Sequence, residues 1–285
     1  MVYIGYQMAK KGTREMNFES FAEQHGLIID HIVYDRWARV PTIDKPHSKN
    51  GSYIWDGQSG AVQNWAVHDK PIPFRSSNAK RISSSELREK KRKAQEDKIK
   101  KQNQAIMTAK YMLDSSVMGI HPYMVKKGFP NFKVHIYEDM MLLPMRIGQK
   151  LVGCQAISPQ GDKKFLYGQT TKGAELCIDN KGKHILCEGY ATAMSLRRVL
   201  RSMGLKYTIH TCFSAANIIE IASYYPQCVI VADNDSVGLN SAEKTGKPFW
   251  SSPVSGEDFN DFELRLGTEQ AGKAFIASGL MADCD

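Results

Sequence analysis

Carboxylates recur at the ends of apolar runs in the last third of the chain. His184-Ile185-Leu186-Cys187 ends in Glu188-Gly189, and Cys228-Val229-Ile230-Val231-Ala232 ends in Asp233-Asn234-Asp235. Gly256-Glu257-Asp258-Phe259-Asn260-Asp261 follows Pro248-Phe249-Trp250. Short apolar runs with β-branched residues, separated by helix-length stretches, predict strands of a parallel sheet. The carboxyl ends of such strands open onto one crevice, so these acids would converge from distant parts of the chain. Hard oxygen donors gathered in this way suit Mg²⁺, which keeps several waters and serves phosphate chemistry. Asp is also favoured in turns and at helix N-caps. That use accounts for Asp258 alone, but not for acids at several successive strand ends.

Positioning these acids requires a βαβ-like unit from Lys183 onward. Residues 191–203 predict a helix, 207–212 a strand, 215–225 a helix and 228–232 a strand, with 249–251 a poor further strand and 258–266 a closing helix. Before it, 140–145 reads as a strand, and 151–157 with 163–167 reads as a hairpin around the Ser158-Pro159-Gln160-Gly161-Asp162 turn. The segment His121-Pro122-Tyr123 to Phe129 predicts a loop or short helix. Residues 14–25 predict a helix, and the following stretch to about Phe74 predicts a small antiparallel β unit broken by Pro41, Pro46, Asp56-Gly57 and Ser59-Gly60. Trp37, Trp55 and Trp65 fall in that unit. They are either its core or a stacking platform for a single strand, with Arg36, Arg39 and Lys49 at the phosphates.

Ser83-Ser84-Ser85-Glu86 has capping-box spacing and predicts a helix to about Lys110. Its apolar positions, Leu87, Ala94, Ile99 and Ile106, are too sparse for a wide buried stripe, which predicts an exposed connecting helix.

The net charge of +8 is unevenly spread: +1 over 1–79, +7 over 80–110, +4 over 111–173 and −4 over 174–285. A basic middle beside an acidic unit suits a polyanion held near a metal-dependent carboxylate site; a solvated charged helix is the simpler use of 80–110. No apolar run is long enough to span a bilayer, and the N-terminus, with Lys10-Lys11 after its first residues, has the wrong order for a secretory signal. Six cysteines without a Cys-x-x-Cys pair, none before Cys154, predict free thiols in a reducing cytoplasm and no structural zinc.

The ordered set of Glu188-Gly189, Asp233-x-Asp235 and the Asp258 loop resembles the Toprim domain. That domain is shared by DnaG-type primases, topoisomerases, the recombination mediator RecR and certain nucleases. Glu188-Gly189-Tyr190-Ala191-Thr192-Ala193 and Gly256-Glu257-Asp258-Phe259-Asn260-Asp261 are similar, more narrowly, to the Toprim primases of phages, plasmids and mobile elements. So are Leu143-Pro144-Met145-Arg146, the stretch from Gln155 to Phe165, and His121-Pro122-Tyr123-Met124-Val125-Lys126-Lys127-Gly128. The likeness runs over 115–267, with a fainter one over 17–75.

The resemblance implies an α+β protein in four parts. A small mostly-β domain (14–78) resembles a template-recognition domain without zinc, and a basic helical linker (79–110) follows. An α+β polymerase-like subdomain (111–174) then precedes a C-terminal Toprim α/β domain (175–285) with a central parallel sheet. It implies a DNA primase, a nucleotidyltransferase making short RNA primers on single-stranded DNA from ribonucleoside triphosphates. Glu188, Asp233, Asp235 and Asp258 would hold Mg²⁺ or Mn²⁺, the first three being catalytic, and Asp261 would stand behind them or add a ligand. Lys164, Lys172 and Arg146 would contact nucleotide or template phosphates. Because the chain ends shortly after Leu266, a separate replicative helicase is expected as partner, in the cytoplasm of a bacterial host and off the membrane. Two alternatives stay open: a Toprim nuclease using the same carboxylates, and a non-catalytic single-strand-binding accessory protein. No G-x-x-x-x-G-K-[ST] loop supports the first, and the complete acid set argues against the second.

Overall fold

A computed structural model describes residues 16–77 and 84–281. The Lys10-Lys11 segment, Ser83 of the expected capping box and Cys284 lie outside them. The fold is mixed α+β, and the chain divides into two compact units with the boundary between Lys90 and Lys91.

The first unit packs one helix on a four-stranded antiparallel sheet. Helix α1 (Phe18–Gln24) starts at Asn17, whose side chain accepts the Ser20 N–H at 2.8 Å. Strands β1 (Ala38–Val40), β2 (Gly51–Trp55), β3 (Ser59–Asn64) and β4 (Ile72–Arg75) pair in sequence order. Phe18, Ala22, Leu27, Tyr53, Trp55 and Val62 form the core. The Trp55 ring stacks on Phe18 at 4.5 Å and is 7% exposed. It is therefore a core residue, which removes Trp55 from the expected stacking platform. Trp37 and Trp65 are about half exposed, and the Arg39 guanidinium lies 5.0 Å over the Trp65 ring.

Helix α2 (Ser84–Asp114) runs past the expected end at Lys110. Most of it is exposed, but Ala105 and Ala109 are buried. Ala109, Met112 and Leu113 pack with Leu142, Cys154 and Ala156 of the second unit's first sheet. The last turns of this helix are thus core, not connector. That sheet is antiparallel, in the order β5 (Val117–Ile120), β6 (Lys133–Tyr137), β7 (Met140–Ile147), β8 (Lys150–Ile157), β9 (Lys163–Phe165). A short helix α3 (Pro122–Lys126) lies between β5 and β6, capped by the His121 side chain.

The second sheet of this unit has the order β10 (Leu176–Asp179), β12 (Tyr207–Thr211), β11 (Lys183–Cys187), β13 (Val229–Ala232), β14 (Phe249–Ser251). Strands β11 to β14 are mutually parallel, and β10 is an antiparallel edge on β12. Helices α4 (Tyr190–Ser202), α7 (Phe259–Leu266) and α8 (Thr268–Ala277) cover one face, where Ile185, Leu196, Val199, Ile209, Val231, Phe259 and Phe275 meet. Helices α5 (Ala215–Ala222) and α6 (Ser236–Thr245) cover the other, where Leu186, Ile218, Ile221, Ile230 and Ala242 meet. Burial on both faces is why these strands read as continuous apolar runs instead of alternating ones. Among the described residues no helix is long and apolar enough to cross a membrane.

Candidate carboxylate site

The carboxyl ends of β11 and β13 deliver Glu188 and Asp233 to the same side of the sheet, because the two strands are parallel neighbours in register. Main-chain bonds fix both turns. The Glu188 carbonyl accepts the Phe213 N–H at 2.9 Å. The Asn234 N–H donates to the Glu257 carbonyl at 3.0 Å, and the Gly256 N–H donates to the Asn234 carbonyl at 2.6 Å. The loop carrying Asp258 is thereby locked to the turn carrying Asp233. Gly238, in the first turn of α6, lies so close to the Asp233 carbonyl that a Cβ there would sit 2.5 Å from it.

Two of the acids are helix N-caps. Asp235 accepts the Val237 and Gly238 N–H groups at 2.9 and 2.7 Å, opening α6. Asp258 accepts the Asp261 N–H at 2.8 Å, opening α7. Each pays for its place with capping bonds, yet keeps a second carboxylate oxygen for other work.

Basic groups face these acids from the preceding part of the unit. Lys127, at the end of α3, places Nζ 3.3 Å from Asp261 Oδ1 and 3.6 Å from Asp258 Oδ2. The end of α3 is itself tied down. Asn260 Nδ2 donates to the Lys127 carbonyl and to Ser195 Oγ, both at 2.9 Å. Arg198 donates to the Gly128 carbonyl at 2.8 Å and forms a two-pronged pair, 2.6 Å on each arm, with the buried Glu263. Lys163 of β9 lines the same cavity, of about 270 Å³, with Tyr123, Lys127, Glu188, Asp233 and Asp258.

Burial raises the Asp233 carboxyl to about 7; Asp258, Glu188 and Asp235 push the same way and Lys163 opposes them. Its Oδ1 is buried without a hydrogen-bond partner among the described residues. Burial also raises Glu188, against the pull of Lys163 and the Ala215 N–H, with Asp235 adding to the rise. Tyr123 is raised to about 12 by burial and by Asp258 and Asp261, so its hydroxyl keeps its proton. Desolvated carboxylates held against one another are a site prepared for a cationic partner.

No protein-family model matches this chain, and no curated protein matches it. Among solved structures, a DNA primase domain from Pseudomonas aeruginosa is similar at a TM-score of 0.34 and 17% identity, over 59% of this chain. The matched region spans 58% of that chain's length.

The expected basic residues lie elsewhere. Lys164 is exposed on β9 and is not part of the cavity lining; Lys163 is. Lys172 is 78% exposed and pairs with Glu220 at 3.1 Å, beside α5. Arg146 donates to the Gln149 carbonyl at 2.9 Å, beside the register shift of β7 on β8. None of the three lines the carboxylate cavity. Strand alternation is the signal that singles out Lys163, since neighbours on β9 point to opposite faces. For Lys127 the sequence carries no comparable signal, because its place depends on how α3 docks on α7.

Among the described residues, no three His, Cys, Asp or Glu side chains stand close enough to enclose a metal ion by themselves.

Proposed function

We propose that the chain is a DNA primase of the Toprim kind, making short RNA primers on single-stranded DNA from ribonucleoside triphosphates. The observation that carries this reading is the convergence of Glu188, Asp233 and Asp258 at one end of a parallel sheet, with Lys163 and Lys127 facing them. The orphaned, buried Asp233 Oδ1 fits a divalent cation. Mg²⁺ in particular is held through one or two carboxylates plus waters and substrate phosphates, which agrees with an open set of acids. Bound there, Mg²⁺ or Mn²⁺ would neutralise charge on the transferring and leaving phosphate oxygens.

The chain's own groups have separable tasks. Asp233 and Glu188 would be the carboxylate ligands on the strand ends, and Asp258, whose uncapped oxygen faces Lys127, would add its charge to the site. Asp235, spent on the α6 cap, would act mainly through its charge on Asp233 and Glu188. Asp261 would hold Lys127 in place. Lys127 and Lys163 would meet the triphosphate as point charges, exchanging carboxylate partners for phosphate ones as the substrate enters. Nucleotidyl transfer asks little more of a protein than such positioning and charge neutralisation.

The test is incubation with single-stranded DNA, ribonucleoside triphosphates and Mg²⁺ or Mn²⁺, with and without Asp233→Ala. Short RNA products that vanish in the variant support the proposal. Degraded DNA without primers would overturn it in favour of a nuclease, and strand binding with neither activity would leave an accessory role.

A further inference from the structure

Beside α4 a cavity of about 260 Å³ opens against the turn that joins α3 to β6. Phe129, Phe132 and Met194 line it together with Arg197, Arg198 and Arg201, and no acidic side chain is among the lining residues. It shares no lining residue with the carboxylate cavity. The turn is fixed from both sides. Gly128 has φ +83°, and a Cβ there would sit 2.5 Å from the Leu264 side chain of α7. The Phe129 N–H donates to the Met124 carbonyl at 2.8 Å. Arg198, held by Glu263 and by the Gly128 carbonyl, sets its guanidinium 4.2 Å over the Phe129 ring. That arginine is engaged by the fold.

Arg197 and Arg201 are not engaged in this way. Four positions apart on α4, they stand one turn from each other on one face, and neither forms a salt bridge among the described residues. The Arg197 guanidinium lies 5.9 Å over the half-buried Phe132 ring. Arg201 is exposed in the last turn of the helix, where the negative dipole end accounts for a cation locally; Arg197 is a turn further in and has no such account. Between the guanidinium groups the floor is apolar, with Phe129 and Met194 buried. Aromatic rings, methionine and arginine, without lysine, are the composition of protein–protein interfaces. The carboxylate cavity, by contrast, takes its cations from lysines. The volume falls below that of a pocket for a drug-sized ligand and suits one large apolar side chain. A nucleic-acid strand gains less here. Phe129 is buried and Phe132 lies under a guanidinium, so the ring platform that a base would stack on is already in use.

We infer that this groove docks an acidic segment of a partner protein, which seats one large apolar side chain on Phe129, Phe132 and Met194 and sets flanking carboxylates on Arg197 and Arg201. The planar fork of each free guanidinium matches a carboxylate with two parallel hydrogen bonds. Charge complementarity selects the flanking acids, and the apolar floor selects the anchor between them. Because the turn and Arg198 are already fixed, this side of the complex has little left to order on binding. Met194 lets the floor accept anchors of more than one shape. The site does not depend on the activity proposed for the carboxylates.

The experiment is fluorescence anisotropy of the full chain with short labelled peptides in which aspartates flank one central phenylalanine, leucine or serine. A twin set carries asparagine in place of aspartate, and labelled oligothymidine is the nucleic-acid control. The phenylalanine or leucine peptide should bind about tenfold tighter than the serine peptide, the scale of burying one apolar side chain. It should also bind about tenfold tighter than its asparagine twin, the scale of one charge-assisted hydrogen bond. Arg197→Gln and Arg201→Gln leave the Arg198 anchor in place, and together they should abolish the preference for aspartate over asparagine. Phe132→Ala should erase the preference for phenylalanine over serine, and Phe132→Leu should keep it at an unchanged melting temperature. Equal binding of the aspartate and asparagine peptides would overturn the inference, as would acidic-peptide binding unchanged in the double arginine variant. So would oligothymidine binding that exceeds peptide binding and is lost in that variant, since the face would then hold a nucleic-acid strand.

Discussion

The two ends of the parallel sheet carry opposite chemistry on the same strands. β11 begins with Lys183 and His184 and is followed by Glu188; β12 follows Lys206; β13 is followed by Asp233. At the carboxyl end the acids meet the starts of α6 and α7, whose positive dipole ends favour negative charge. At the amino end β12 and β13 follow the carboxyl ends of α4 and α5, whose negative dipole ends favour positive charge, and lysines line a wide cavity there. The difference teaches where the fold bears strain. The carboxyl end crowds like charges into a half-buried space, while the amino end leaves Lys181 and Lys206 exposed to water.

The sharpest way to break the comparison is Asp233→Asn. As a proposed ligand, Asp233 should be needed for primer synthesis, and its loss should reduce the rate by about a thousandfold. Stability should move the other way. The folded carboxyl titrates at about 7 against an ordinary value of 3.8, so the folded state holds a proton that the unfolded state has released. Stability from this group therefore falls as pH rises from about 4 through 7, with a cost on the order of 4 kcal/mol above that window. Asp233→Asn should flatten this slope and raise the melting temperature at pH 8, and Mg²⁺ should stabilise the parent but not the variant. A variant as pH-sensitive as the parent would remove Asp233 as the strained group.

Next in size is Arg198→Ala. Arg198 joins α4 to α7 through the buried Glu263 and to the Lys127-Gly128 turn through a carbonyl. Its loss strands a buried carboxylate, which should cost about 3 kcal/mol in denaturant unfolding. Because the same side chain anchors the end of α3, the damage should extend to the carboxylate end. At the amino end, Gly182→Ala should cost about 2 kcal/mol by forcing apart the 182 and 206 backbones, with the carboxylate end unaffected.

How much of this was legible in the sequence depends on how far each residue's position is set locally. Glu188, Asp233 and Asp258 are placed by strand ends and caps, which leave marks in the chain: an apolar run and then an acid, or an acid three residues before a helical turn. Strands β5, β6 and β10 leave little mark in the sequence, because Val117–Ile120 is short and largely exposed, Lys133–Tyr137 is short with one buried position, and Leu176–Asp179 alternates on an edge. Helix α6 was missed for a different reason. Ser, Gly, Asn and Thr give it weak propensity, and the Asp235 cap and packing on α5 hold it instead. Helix α8 follows α7, so the helix expected over 258–266 does not close the fold. The basic side of the site was least legible. Lys127 reaches Asp258 and Asp261 across 131 and 134 positions of sequence, and only the docking of α3 on α7 creates that contact. Trp55 illustrates an ambiguity of composition, which allows core or stacking platform, and the Phe18 ring stacked on it decides for the core.

The smallest expected effect separates two adjacent lysines. Lys163 lines the carboxylate cavity and lowers the Asp233 and Glu188 carboxyls through its charge, whereas Lys164 has no part in the lining. Lys163→Met keeps the aliphatic stem and removes only the ammonium. It should therefore weaken use of ribonucleoside triphosphate about tenfold, the scale of one charge contact, and should push the Asp233 titration further upward, so that stability at pH 8 falls. Lys164→Met should change neither. A pH profile of unfolding for both variants distinguishes the roles without any assay of activity: a shift in Lys163→Met alone assigns the inward position to Lys163. An equal shift in both would mean that the strand does not hold its alternation there, and the basic wall of the site would have to be redrawn around Lys127.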